Sequence, residues 1–336
     1  MTEASPEAHG VAALMLLALV VYALLGGADF GGGIWDLFAS GPRRDAQRRL
    51  IAQAIAPVWE ANHVWLIFVV VLLFSGFPEA FSVVCTSLHV PLTLMLFGIV
   101  ARGSAFVFRQ YGSPEIASQQ RWGRVFAVAS TVTPGFLGVC LGAITADGIR
   151  VEHHVPTTGF VRPWLAPFPF AVGLLVVCLF AFLAAAYLTN ETTDPELAGD
   201  FRKRGLASGI ALGGAAALCA ALAGPGTVHF REAFFSAWWT WPFQIATGLV
   251  ALSALWALWA RRYPLARVLA AAQVVLMIAG WALGHRPYLV TPDVTLASAA
   301  APPITLRILL VVSLIGIALL APAIYWMLRV LRRAPG

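Results

Sequence analysis

Apolar residues run along the chain in nine blocks, at roughly 10–38, 55–77, 80–105, 122–146, 164–189, 205–224, 234–260, 264–284 and 304–331. Each is long enough for an α-helix that crosses the hydrocarbon core of a membrane, which takes ~20 residues. The connections are short and carry the punctuation that ends helices: Gly41-Pro42, Gly76-Phe77-Pro78, Gly112-Ser113-Pro114, Asp194-Pro195 and Gly224-Pro225-Gly226. No soluble domain fits between any two blocks, and no internal repeat or low-complexity tract is visible. The pattern predicts an all-α, polytopic membrane protein with nine transmembrane helices, forming a single integral-membrane domain over residues 1–336.

Composition agrees and removes the other classes. Of 336 residues, 60% are hydrophobic and only 11% are charged, against ~25% charged in soluble proteins. Too little charge is available to cover a soluble surface, which excludes a cytosolic enzyme, a disordered tail and a disulfide scaffold. Cys85, Cys140, Cys178 and Cys219 lie inside apolar blocks at no ligand-like spacing, so they are expected to be small buried hydrophobes. The net charge of +6 belongs to cytoplasmic loops rather than to nucleic-acid binding.

The distribution of Arg and Lys predicts the orientation. Alternate sides of the nine-span pattern hold 17 and 5 of the 22 basic residues. By the positive-inside rule the N-terminus is expected outside and the C-terminus in the cytoplasm. The first residues, Met1-Thr2-Glu3-Ala4-Ser5-Pro6-Glu7, are acidic and lack the basic start of a signal peptide, so the first block is expected to remain as a helix. Gly205, Gly209 and Gly213, and likewise Gly138 and Gly142, recur every four residues, a spacing that lets neighbouring helices approach closely. Trp164, Trp238, Trp239 and Trp241 fall near outer ends and Trp256, Trp259 and Trp326 near inner ends. Most of these suit the interfacial belt.

A charged side chain at mid-membrane costs at least ~2.5–3.5 kcal/mol, so each one calls for a partner or a function. Such residues are concentrated in the first three blocks: Asp29, Glu60, His63 and His89, with Asp36 and Arg102 at the edges. All but His89 fall at or near the cytoplasmic half. Trp59 and His63 are four residues apart and Glu60 and His63 three apart, so they can meet on one helix face. A partly desolvated Glu beside an imidazole can relay protons. The alternative is structural, with Glu60 and Asp29 held as anchors by Arg102 or by helix N-termini. His89, beside Pro91, reads as a mid-span residue, either a haem ligand or a hydrogen-bonded packing residue, but no axial pair is evident. His153, His154 and His229 fall in outer connections and are expected to be solvated. The segment Gly26-Gly27-Ala28-Asp29-Phe30-Gly31-Gly32-Gly33 follows an apolar helix and lacks a Gly-Lys-Ser/Thr ending, so it is no phosphate cradle. It suits the close approach of another backbone or of an isoprenoid ring.

These residues carry a resemblance. The run from Gly26 through Asp29, Phe30 and Gly33 to Asp36 is followed by Pro57-Val58-Trp59-Glu60-Ala61-Asn62-His63-Val64-Trp65, and then by Arg102, Phe106 and Arg109. In this order and spacing the chain resembles subunit II of the cytochrome bd quinol oxidases, along its whole length. Family members commonly have Asp-Gly-Asn after the first Trp; here it is Glu60-Ala61-Asn62, which keeps the carboxylate and leaves the standard and cyanide-insensitive branches open.

The resemblance implies two four-helix bundles, here 1–146 with the polar motifs and 164–284, plus a ninth helix at 304–331. It implies a haem-bearing partner, subunit I, with two haems b and one haem d, which oxidises quinol and reduces O2 to water with protons from the cytoplasm. This chain would bind no haem and carry no catalytic residue or metal ligand. It would support assembly of subunit I and the access of protons and oxygen to haem d in the bacterial inner membrane. The resemblance also allows a structural quinone and a small single-helix third subunit. On this chain the proton pathway would use Glu60, Asp29, His63 and Arg102. Trp59, Asn62 and Trp65 would face the subunit interface or an oxygen route. Gly26, Gly27, Phe30, Gly31, Gly32 and Asp36 would form a quinone site or a close-packing site. The rival class is a proton-coupled secondary transporter with Asp29, Glu60 and His63 as its coupling site, although such proteins often show repeats.

Overall fold

The first apolar block opens with a capped helix: Ser5 Oγ accepts a hydrogen bond from the Ala8 amide at 3.1 Å, and Pro6 occupies the first turn. This helix, α1, runs over Pro6–Leu37. The structure, a computed structural model of the chain, describes residues 4–55, 59–111, 116–238 and 240–331. After α1 come α2 (Arg44–Ile55), α3 (Trp59–Gly76), α4 (Pro78–Ser87), α5 (His89–Tyr111) and α6 (Ile116–Thr145). The remaining helices are α7 (Pro167–Leu188), α8 (Pro195–Leu222), α9 (Val228–Phe235), α10 (Thr240–Trp259), α11 (Tyr263–His285) and α12 (Pro303–Leu331). Among the described residues, eight helices are long and apolar enough to cross a membrane, and a ninth span is reached if the bent pair α3–α4 counts as one. The chain is a polytopic, all-α membrane protein.

The third block corrects the expectation. Instead of one helix over 80–105, Pro78–Ser87 forms a separate short helix turned 117° from α3, and the span begins only at His89. Pro78 cannot continue the hydrogen-bonded ladder of α3, so the chain turns there, with Phe77 and Leu88 fully buried. His89 is therefore no mid-span residue. It starts α5, is exposed, donates through Nδ1 to the Thr86 carbonyl at 2.9 Å, and packs against Phe160.

α7 lies at the centre, against α1, α6, α8 and α11, and glycines set how closely its neighbours come. A Cβ on Gly31 of α1 would collide with the Phe180 carbonyl of α7, and one on Gly138 of α6 would lie 2.7 Å from Gly173 Cα. Gly209 of α8 faces Leu255 and Phe182, whereas Gly213 faces open space. Two small features were not foreseen. The first connection contains the amphipathic α2, which buries Leu50 and Ile51. Two hairpins, Val151–Glu152 with Val155–Pro156 and Tyr288–Val290 with Val294–Thr295, cap the end of the molecule where α1 begins. They are joined through Asp293, which accepts from the Val151 amide at 2.9 Å and pairs with Arg150 at 3.2 Å.

Most of the described belt tryptophans are exposed: Trp238, Trp241, Trp256, Trp259 and Trp326. Trp164 is instead buried, its indole N–H donating to the Phe160 carbonyl at 2.9 Å. Trp239 lies outside the described residues.

Candidate functional site

Four helices bring polar side chains to one place in the last third of α1. Asp29 of α1 is ion-paired with Arg102 of α5 and accepts a hydrogen bond from Asn62 Nδ2 of α3 at 2.6 Å. Arg102 Nε donates to Ser130 Oγ of α6 at 2.9 Å. All four residues are buried, Asp29 at 1% and Arg102 at 2% exposure. Two aromatic faces cover the guanidinium, with Phe30 at 4.7 Å and Phe126 at 4.9 Å, so the cation meets ring quadrupoles where it does not meet oxygen. The glycines make this geometry: a Cβ on Gly33 would overlap Ser130, so only glycine lets α6 come near enough for Ser130 to reach Arg102. Paired and hydrogen-bonded, the two charges avoid the cost of isolated ions in an apolar medium.

The other predicted residues sort around this cluster. His63 follows Asn62, is half-buried and lies close enough to Asp29 to interact with its charge. Asn62 Oδ1 and Trp65 Nε1 are buried and make no hydrogen bond within the described residues, an acceptor and a donor on one helix segment. Glu60 lies in the first turn of α3, but its side chain, like that of Trp59, lies outside the described residues. Gly26, Gly27, Phe30, Gly31 and Gly32 are buried, and α7 makes the close approach, with Phe180 and Leu183 at Gly27 and Phe180 and Ala184 at Gly31.

Asp36, two turns further along α1, forms a second and looser group. It is 1% exposed and faces Arg109 Nη1 at 3.3 Å and Arg48 Nε at 3.5 Å. Next to it Trp35 donates its indole N–H to the Ala181 carbonyl at 2.8 Å. Beyond, α2 is stapled to the start of α8: Arg43 contacts Asp200 through Nη2 at 2.7 Å and Glu196 through Nη1 at 2.8 Å, and Gln47 Nε2 donates to Asp200 at 2.9 Å. Asp200 holds the Arg43 guanidinium well above its ordinary value, so it stays charged throughout.

At the opposite end of the molecule two histidines expected to be solvated have partners. His154 Nδ1 lies 2.8 Å from Glu79, and His229 Nδ1 lies 3.0 Å from Asp147, whose other oxygen caps the start of α9 through the Val228 amide at 2.6 Å. Among the described residues no group of three His, Cys, Asp or Glu could hold a metal ion. His63, in the first turns of α3 near Asp29, and His89, at the start of α5 against Phe160, stand towards opposite ends of the molecule. They cannot ligate one haem from its two faces.

Ser130, Phe126 and Arg48 were not anticipated. Ser130 stands in Ser130-Thr131-Val132-Thr133, where hydroxyls are common in apolar helices and give no cost signal. Arg48 read as one loop charge among four, and only the spacing of Leu50 and Ile51 behind it hints at a helix.

Comparison with known proteins then bears on this geometry. Residues 8–331 match the family described as cytochrome bd terminal oxidase subunit II. The chain is 29% identical over 215 residues to cytochrome bd-I ubiquinol oxidase subunit 2 of Escherichia coli K12, covering 63% of this chain and 54% of that protein. It therefore spans about half the length of that relative. It is 22% identical over 326 residues to a putative cytochrome bd menaquinol oxidase subunit II of Bacillus subtilis 168, covering 93% and 92%. Among solved structures, a chain of the bd oxidase from Geobacillus thermodenitrificans superposes with a TM-score of 0.80 at 22% identity, covering 97% of this chain and 98% of that one. That similarity concerns the fold.

Proposed function

The chain belongs to the cytochrome bd terminal oxidase subunit II family, and from that premise we propose that it is the haem-free, accessory subunit of a bd-type quinol oxidase. Its partner is a haem-bearing subunit I in the bacterial cytoplasmic membrane. The N-terminus lies outside, the C-terminus lies in the cytoplasm, and the spans form two four-helix bundles with a ninth helix beside them. The two haems b and haem d of subunit I supply electron transfer from quinol and the reduction of O2. This chain stabilises that subunit and supplies part of the path for protons and oxygen. The arginine-rich ends of the helices face the cytoplasm, in line with the positive-inside rule.

The observation that carries this reading is the buried cluster of Asp29, Asn62, Arg102 and Ser130, drawn from four helices close to the arginine-rich end. A buried ion pair is an expensive feature in a membrane, and here it fixes the start of α3. In our reading Asp29, with Arg102 on one oxygen and Asn62 on the other, is a positioning group. Glu60 is the proton-accepting group, at the first turn of α3 where cytoplasmic water reaches, and His63 one turn on passes protons inward. Asn62 Oδ1 and Trp65 Nε1 offer an acceptor and a donor for an intervening water. A secondary transporter with the same three residues as a coupling site finds no supporting observation, since Asp29 of that site is tied to Arg102.

The test is purification of the chain from membranes. It is expected to bring along a second, haem-bearing chain, and His63→Ala and His89→Ala are expected to leave every haem band of the complex intact. A chain that purifies without haem or partner, or a haem band lost at normal yield, overturns the assignment.

A further inference from the structure

Two guanidinium groups face Asp36 and a third lies within its electrostatic reach, and one carboxylate cannot neutralise them. Arg48 and Arg109 face it at 3.5 and 3.3 Å, and Arg44 adds its charge from the first turn of α2. The contacts are long for charge-assisted hydrogen bonds, which run ~2.7–2.9 Å. Arg48 is the least satisfied: its Nε is buried without a hydrogen bond, and its Nη2 reaches only the Asp36 carbonyl, at 3.5 Å. The neighbouring cations differ. Arg43 spends Nε, Nη1 and Nη2 on Asp200 and Glu196 at 2.7–2.8 Å, and Arg204, although its Nη1 is buried without a hydrogen bond, donates through Nη2 to Phe38 and Gln47 and lies over Trp35 and Phe201. The side chains of Arg48 and Arg109 remain 25% and 28% exposed, so the group is open on one side.

Exposed apolar side chains flank these residues in sequence: Leu37 and Phe38 follow Asp36 at the end of α1, and Val107 and Phe108 come just before Arg109. A site that is cationic at one level and apolar at the adjoining one matches an amphiphile with an anionic head. We propose that the opening around Arg44, Arg48 and Arg109 binds the phosphodiester headgroup of an anionic phospholipid, whose acyl chains lie along Phe38 and Phe108. Guanidinium forks match phosphate oxygens in bidentate geometry, and basic residues at a membrane surface attract anionic lipid. The site is separate from the Asp29 cluster and does not depend on the proton role of Glu60.

The experiment uses the purified complex in nanodiscs, either of phosphatidylcholine alone or with phosphatidylglycerol as a third of the lipid, followed by detergent release and native mass spectrometry. The wild type is expected to retain phosphatidylglycerol. Arg44→Gln/Arg48→Gln is expected to retain less, by roughly fivefold for each guanidinium removed, whereas Arg49→Gln is expected to behave as wild type. Independently of whether the double variant assembles, a photoreactive phosphatidylglycerol added to the wild type is expected to label peptides of α2 or the end of α5. Retention of no lipid by the wild type, as when an acidic group of the partner subunit fills the opening, overturns the proposal. So does labelling confined to other helices. Equal displacement of the lipid by inorganic phosphate and by short-chain phosphatidylglycerol would assign the site to a free anion and overturn the lipid assignment.

Discussion

Asp29 and Asp36 lie two turns apart on the same helix, equally buried, yet their surroundings differ in kind. Asp29 has one cation in contact, one amide at 2.6 Å, and aromatic rings closing the space around its partner. Asp36 has cations at 3.3 and 3.5 Å that remain about a quarter exposed. The difference follows from what the neighbouring helices allow. At Asp29 the glycines of α1 draw α6 and α7 in, so the ion pair is sealed and its geometry is unique. At Asp36 the partners come from a lateral helix and from the last turns of α5, where water competes. A sealed pair fixes a structure; an open one can exchange partners.

Breaking the sealed pair is expected to have the largest effect. Arg102→Gln leaves Asp29 as an uncompensated buried charge, at a cost of about 3–5 kcal/mol. The complex is expected to be recovered in low yield, with a depressed thermal midpoint. Asp29→Asn combined with Arg102→Gln removes both charges and is expected to recover much of that loss. A double variant no better than Arg102→Gln alone would show that the pair is not what holds the cluster.

A second substitution attacks the packing rather than the charge. In Gly33→Ala the new methyl group would overlap Ser130, so α6 must move and the bond from Arg102 to Ser130 is lost. The expected cost is about 1–3 kcal/mol. Gly213→Ala, which meets nothing, is expected to leave the melting temperature unchanged. Equal effects would mean that the glycines do not set the seal.

The smallest of these effects belongs to the open group. Asp36→Asn removes a carboxylate whose partners stay hydrated, and the cost is expected to be about 1 kcal/mol and to shrink as salt is raised, while the effect of Arg102→Gln persists. Thermal unfolding at low and high ionic strength separates the two. A salt-independent loss at Asp36 would place it with Asp29.

How far the molecule could be read beforehand follows the same physics. Charges inside apolar blocks announce themselves by their cost, which is why Asp29 and Arg102 stood out in a chain with 11% charged residues. Asn62 and Ser130 carry no such penalty, so their part in the cluster became visible only when four helices were in place. Hydropathy sees length and not direction: the apolar stretch after Pro78 looked like the start of a span, although it turns by 117° and places His89 at a helix end. Short hairpins such as Val151–Pro156 owe their pairing to a distant connection, through Asp293, and no local pattern encodes that.

The central claim is that Glu60 takes up protons for oxygen reduction while Asp29 positions the helix that carries it. The direct measurement is quinol-driven oxygen uptake by purified complexes at matched haem content, from neutral to alkaline pH. Glu60→Gln preserves size and hydrogen bonding but removes the exchangeable proton, so turnover is expected to fall by about 10²-fold, with assembly and haem spectra unchanged. Glu60→Asp is expected to keep much of the activity. A Glu60→Gln complex that turns over at the wild-type rate throughout that pH range would contradict the account and leave Glu60 as a structural anchor.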